Sequence, residues 1–326
     1  MSPQHIPVLL NEVIENLQPQ ANQNFIDCTL GGGGHSQAIL NKTSPNGKLL
    51  AIDLNEETFI EARKNLNKYK DRIIFSRENF SKLKQIYNEQ FSLYKIDGIL
   101  LDLGFSSLEL EDKDRGFSFQ IDGPLDMRYD KRQSLTAEEI VNTWSFDNLK
   151  KVIQEYGQER LAQNITKKII KSRLNQKITK TKILVEAILL AFRDKLNTNK
   201  EIPWIGGIHP ATRTFQALRI AVNDEINNLK KVLPQAIDLL EPGARLAVIS
   251  FHSLEDKIVK NYFRTESRDC LCPPEAVICI CGHQAKIKLI TKKPIKPTEE
   301  EIKTNPRARS AVLRVVEKTK QNDKTE

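Results

Sequence analysis

A chain of 326 residues, 39% hydrophobic and 28% charged, can bury a substantial core, which excludes a disordered or collagen-like protein and suggests a catalytic domain carrying a smaller one. Lys and Arg total 50 against 42 for Asp and Glu, a net charge of +8 that permits contact with a polyanion without requiring it. Pro3, Gln4, His5, Pro7, Asn11 and Glu12 interrupt the start, which therefore lacks the apolar block of a secretory signal, and no transmembrane run of about 18 apolar residues occurs, so a cytoplasmic chain without membrane contact is expected.

From Asn24 the pattern predicts a strand (Phe25 to Leu30), a glycine run (Gly31 to Gly34), a helix through Leu40 and a second strand from Lys48 to Leu54. A helix from Glu56 to about Tyr69, a short strand near Ile73 to Phe75, a polar helix and the apolar strand Ile96 to Leu103 follow. Such alternation implies a parallel sheet covered on both faces, an α/β fold. After a loop rich in Gly and charge (Glu109 to Arg132) the period becomes helical: Ser134 and Thr136 precede Glu139 as in a capping box, and Leu149, Val152, Ile153 and Tyr156 share one face. Beyond Pro203 one helix is expected to carry Phe215, Leu218, Val222 and Leu229, then a turn at Pro242-Gly243, the strand Arg245 to Phe251, a helix from Leu254 to Phe263 and a closing strand Ala311 to Val316. The expected domains are 1–132 and 201–316 for the sheet, 133–200 for a helical insertion, and 317–326 for a charged tail.

A glycine run between strand and helix admits a ligand close to the backbone, and Asp53, about 20 residues on at the end of the next strand, is placed for ribose hydroxyls. A dinucleotide fingerprint begun at Gly31 meets Ser36 at its third glycine, and one begun at Gly32 meets Gln37, which disfavours a nicotinamide-dependent oxidoreductase. S-adenosylmethionine needs no pyrophosphate cradle, and Asp27-x-x-x-Gly31-x-Gly33-Gly34 suits it. The strand Ile99 to Leu101 ends at Asp102, which should face the same crevice, and a carboxylate there can accept the N–H of an amine nucleophile. Asp102 is the candidate catalytic residue; Phe105 is a candidate to stack on a base and Phe80 to line an adenine pocket.

The segments His5 to Glu12 (HIPVLLNE), Asp27 to Ser36 (DCTLGGGGHS), Asp97 to Ser107 (DGILLDLGFSS), Arg115 to Arg128 (RGFSFQIDGPLDMR), His209 to Asn223 (HPATRTFQALRIAVN), Ser250 to Asp256 (SFHSLED) and Asn305 to Arg314 (NPRARSAVLR) together resemble the ribosomal RNA small-subunit methyltransferase H family from end to end. The resemblance implies a class I, Rossmann-like methyltransferase sheet with an inserted all-helical domain. It also implies methylation of N4 of a cytosine in the decoding centre of 16S ribosomal RNA, within the small subunit and with no obligate protein partner. Cofactor contacts carry over to Gly33, Gly34, His35, Asp53, Phe80 and Asp102. The family commonly has Gln in a Pro-Gln pair after the two serines, where this chain has Leu108-Glu109, so the contact at Glu109 crosses a departure from the family pattern.

Arginine forks suit phosphate, and the chain offers Arg115, Arg128, Arg213 and Arg219, then Arg307, Arg309 and Arg314 near its end. Arg213, His252, Ser253, Arg307 and Arg309 are the candidates for RNA contact, with Phe105. Cys270-x-Cys272 and Cys279-x-Cys281 supply four thiols, but zinc pairs are usually spaced C-x-x-C, and no metal is expected. A non-catalytic RNA-binding or assembly factor on the same fold is the alternative, against which Asp53 and Asp102 argue.

Overall fold

The computed structural model describes residues 6–104, 112–202, 204–205, 207–273, 275–276 and 278–320. The chain divides into two compact units, Met1–Gly104 with Asn227–Glu326, and Phe105–Ile226.

The first unit is built on a sheet. In chain order it has α1 (Leu10–Leu17), β1 (Phe25–Asp27), α2 (Gly34–Lys42), β2 (Leu49–Ile52), α3 (Glu56–Asn65), β3 (Ile73–Ser76), α4 (Leu83–Gln90) and β4 (Ile96–Asp102). The strands β1 and β2 are buried at every residue, as expected of apolar runs covered on both faces. The sheet resumes in β5 (Leu240–Ser250), β6 (Ile287–Leu289) and β7 (Val312–Lys318), in the order β3-β2-β1-β4-β5-β7-β6. Strands β3 through β5 pair in parallel, while β7 runs antiparallel between β5 and β6. This is the α/β sheet the sequence implies, and its strand order reverses between β1 and β4, the place where open α/β sheets take ligands.

The strand period of two sorts side chains onto the two faces. Ile26, Leu50, Ile99 and Leu101 pack with Leu229, Val232 and Leu233 on one face; Phe25, Leu49, Leu100 and Ile249 pack with Val13, Ile39 and Ala62 on the other. Leu9 N–H donates to Glu301 Oε1 (2.7 Å) and Asn305 Nδ2 donates to the Ile6 carbonyl (3.1 Å), so the segment before α1 is held by α12 (Glu299–Thr304) and the residue after it.

The second unit is helical: α5 (Ala137–Thr143), α6 (Phe146–Glu155), α7 (Ala162–Asn175), α8 (Thr181–Leu196) and α9 (Thr212–Asn223). Thr136 caps α5 by accepting from Glu139 N–H, as its spacing predicted. The unit reaches beyond 133–200, because Phe117, Leu125 and Met127 before that range and Phe215 and Leu218 after it share one core with Leu149, Ile165 and Ile188.

Two expectations are corrected. The single helix through Phe215 and Leu229 is two, α9 and α10 (Glu225–Leu239), parted at Asp224 in a left-handed conformation (φ 51°). Pro242-Gly243 does not end an element but lies inside β5, where Gly243 (φ 88°) accompanies a register shift between Ile96 and Gly98.

Candidate active site

Three apolar strands end in carboxylates at the reversal point or beside it. Asp27 closes β1, Asp102 closes β4, and Asp53 follows β2. Asp27 is fully buried: Oδ2 accepts from Ser36 Oγ (2.6 Å) and Oδ1 from Thr29 N–H (3.1 Å). Burial pushes its carboxyl above the usual range, against the pull of Ser36 and of His35. Desolvation likewise raises Asp53, whose Oδ2 accepts from Gly31 N–H (2.8 Å) and Oδ1 from Asn55 N–H (2.9 Å). Asp53 thereby ties the glycine run to the start of α3.

The glycines do two jobs. Gly33 (φ 84°) adopts a backbone that side chains disfavour and is the N-cap of α2, where it offers no capping side chain. A Cβ on Gly34 would lie 2.2 Å from Pro7 Cγ, so Gly34 is required by packing. The uncapped first turn of α2 offers backbone N–H groups suited to a carboxylate.

Asp102 is fixed by its backbone and open at its side chain. Its N–H donates to Thr29 Oγ1 (2.6 Å), which joins β4 to the loop after β1. His35 Nε2 stands 3.6 Å from Asp102 Oδ2, just beyond hydrogen-bond reach. Asp102 Oδ1 and both ring nitrogens of His35 are buried without hydrogen-bond partners among the described residues. Buried polar atoms left unpaired cost about 1–3 kcal/mol each, and a cluster of them signals a ligand. Acceptors at Asp53 and Asp102, donors at the α2 terminus and the unpaired His35 ring match the hydroxyls, carboxylate and ammonium of S-adenosylmethionine, so the residues fit that cofactor.

Gly33, Gly34, His35, Asp53 and Asp102 are thus gathered at one end of the sheet. Phe80, after β3, is half-buried and packs against one of the core clusters. Phe105 and Glu109 lie outside the described residues. His252 is the N-cap of α11 (Ser253–Glu266): its Nδ1 accepts from Glu255 N–H (3.3 Å), and Glu255 Oε2 accepts in return from His252 N–H (3.3 Å). That capping box gives the ring a structural task at the carboxyl end of β5. Ser253, the first helical residue, is exposed.

The arginines separate in the same way. Arg314 grips Asp256 through two bonds (2.6 and 3.1 Å), Arg219 grips Glu225 (2.9 and 3.0 Å) and Arg128 grips Asp126 (2.8 and 2.7 Å). Arg115 is buried, with Nη1 on the Arg128 carbonyl (2.7 Å). These four are internal struts. Arg309 is exposed and Arg307 half-buried on the 3-10 turn Pro306–Ser310, while Arg213, on α9, reaches the Gln158 carbonyl (3.0 Å). Sequence reasoning missed Thr29 and Ser36, whose hydroxyls hold Asp102 and Asp27; their place inside a glycine-run motif was the available signal.

The MraW methylase family matches this chain over residues 2–319. Ribosomal RNA small subunit methyltransferase H of Heliobacterium mobile is 46% identical over 314 residues, covering 96% of this chain and 98% of that protein. The proteins of the same name from Clostridioides difficile (45% over 314 residues, 96% and 98% covered) and Halothermothrix orenii (46% over 319 residues, 97% and 98% covered) are similar along the same length.

Proposed function

The chain belongs to the MraW methylase family, and from that premise we propose that it transfers a methyl group from S-adenosylmethionine to N4 of a cytosine in 16S ribosomal RNA. The methyltransferase activity and the small-subunit ribosomal RNA class rest on full-length similarity to named relatives. The amine acceptor is what the resemblance to the family implies, and the observation that supports it is the buried unpaired Oδ1 of Asp102 at the strand reversal point, which can accept an amine N–H.

When bound, S-adenosylmethionine supplies an electrophilic methyl group. Asp53 would hold its ribose, the first turn of α2 its carboxylate, and Phe80 its adenine. The exocyclic amine of cytosine is a poor nucleophile because its lone pair is delocalised into the ring. The Asp102 carboxylate accepts one of its N–H bonds, orients the amine and favours localisation of the lone pair. Thr29 holds Asp102 for that task by accepting from its backbone N–H, and His35 stands beside its carboxylate. The helical unit helps to select the RNA, and Arg213, Arg307 and Arg309 contact phosphate.

A base paired in an A-form helix hides its amino group in a deep, narrow groove, so an unpaired or flipped cytosine is required. The test is transfer of a labelled methyl group to small ribosomal subunits followed by nucleoside analysis. Label on cytosine N4 is expected; label on a ring carbon, a ribose or protein refutes the reading.

A further inference from the structure

Between the end of α11 and the start of β6 the chain runs through residues 267–286 with no buried residue among those described. Leu271, Ile278 and Ile280 are exposed there. A loop this long with no apolar core needs another source of order. Four cysteine sulfurs supply one.

Cys270, Cys272, Cys279 and Cys281 bring their Sγ atoms within 4.8 Å of one another. The separations are 3.3 Å for Cys270–Cys279, 3.7 Å for Cys270–Cys281, 3.7 Å for Cys279–Cys281 and 4.0 Å for Cys272–Cys279. Four thiolates at about 2.3 Å from one zinc ion stand about 3.8 Å apart at the corners of a tetrahedron. All four cysteines are free, the shortest sulfur separation of 3.3 Å is well beyond the about 2.05 Å of a disulfide bond, and Cys279 has three sulfur neighbours within 4.0 Å. An iron–sulfur cluster places several irons and sulfides between its thiolates and needs a wider cage.

Backbone amides are also aimed at these sulfurs. Leu271 N–H donates to Cys281 Sγ and Cys272 N–H to Cys270 Sγ, both at 3.3 Å, bonds that stabilise thiolate charge. Gly282 (φ 62°) lets the chain turn just after Cys281. His283 Nε2 faces the Thr265 carbonyl at 3.2 Å, which leaves the ligand set to the thiols.

The geometry points to a structural zinc ion bound by Cys270, Cys272, Cys279 and Cys281, contrary to the expectation of no metal drawn from their spacing. Each thiol gives up its proton to solvent as the ion binds, so four thiolates and one divalent cation leave the loop with a net charge of −2. The site is remote from methyl transfer. The loop feeds β6, whose Ile287 pairs with Lys318, and the neighbouring Glu317 pairs with Arg245 near the start of the parallel run of β5. Asp102 pairs with Ile249 at the opposite end. The ion therefore orders the edge of the sheet, and this inference stands independently of the reaction assigned to the other end.

The full chain should be purified under reducing conditions, loaded with zinc, dialysed and assayed by elemental mass spectrometry. About one zinc per chain is expected. Cobalt exchanged into the same protein should give an intense thiolate charge-transfer band with tetrahedral visible transitions. Cys279→Ser combined with Cys281→Ser should abolish both signals and speed proteolysis within 267–286, with S-adenosylmethionine affinity by calorimetry unchanged. No retained zinc in the loaded wild-type chain, iron in its place, or zinc held as tightly by the double variant overturns the inference. The wild-type loading and cobalt spectrum decide the matter even if the variant does not fold.

Discussion

Nε2 of His35, on the first turn of the helix after the glycine run, stands 3.6 Å from Oδ2 of Asp102 at the end of the neighbouring strand. The pair is close enough to interact electrostatically and too far apart for a good hydrogen bond, and Oδ1 of Asp102, buried without a hydrogen-bond partner among the described residues, is left for a substrate N–H. Asp102→Asn keeps the side chain's size and the Thr29 hydrogen bond but replaces one acceptor by a donor. Single-turnover methyl transfer should fall by roughly 10²- to 10⁴-fold, the range of general acid–base assistance, with the fold intact by circular dichroism. A wild-type single-turnover rate would make Asp102 structural.

Asp53→Ala removes an acceptor for the ribose and the anchor of Gly31 N–H. S-adenosylmethionine binding should weaken by about 1.5–3 kcal/mol, roughly ten- to hundredfold. Calorimetry on a folded variant checks this; unchanged affinity would remove Asp53 from the cofactor site.

Two carboxylates predict opposite dependences of stability on pH. Burial raises the folded pKa of Asp27 above its unfolded value, so its contribution is fully present below the ordinary Asp range and lost as pH rises through the raised folded pKa. For Asp126 burial alone would raise the carboxyl, but hydrogen bonds and charge from Arg128 outweigh it and hold the pKa low. Its contribution is present above the ordinary Asp range and lost as pH falls through the depressed pKa. Thermal melts across pH should therefore show Asp27→Asn flattening the loss on the alkaline side of the Asp range, and Asp126→Asn removing part of the loss on the acid side. The reverse pattern would contradict both assignments.

Arg307→Ala with Arg309→Ala should lower affinity for small subunits and reduce the slope of log affinity against log salt by about 1 for each phosphate no longer neutralised. S-adenosylmethionine affinity should not change. Filter binding at several salt concentrations provides the comparison, and an unaltered slope would return both residues to the solvated surface.

Gly34→Ala should destabilise the chain, since its Cβ would lie 2.2 Å from Pro7 Cγ and 3.1 Å from Pro7 Cδ. Pro7→Ala should partly rescue it by making room. A melting temperature for Gly34→Ala equal to wild type would show that the segment before α1 yields freely.

The strand ends were legible because a fully buried parallel strand reads as an apolar run, and a charge ending the run marks its carboxyl end; Asp53 and Asp102 stand out in that way. Asp224 gave no such signal, since neither Gly nor Pro marks the break between α9 and α10. The three residues of β6 alternate around one lysine and are too few to show a period. Among the arginines, sequence cannot tell a strut from a phosphate ligand: Arg314 and Arg309 lie in one motif, yet among the described residues Arg314 meets a carboxylate, Asp256, far along the chain, while Arg309 is exposed on a turn. The helical unit was recognisable by its period, but its true extent depends on Phe117 and Phe215 packing together with residues between them. Deleting only 133–200 would split that core.

The hold of Glu301 and Asn305 on Ile6 and Leu9 sets the order in which the protein is completed during synthesis. Pro7, which packs on the glycine helix, belongs to the segment those two late residues fasten, and β7 enters the sheet beside β5 only after both have been made. A nascent chain lacking residues 299–318 has every carboxylate of the crevice but not the clasp behind its glycine wall. Closure of the segment before α1 thus waits for residues that lie 292 and 299 positions further along the chain.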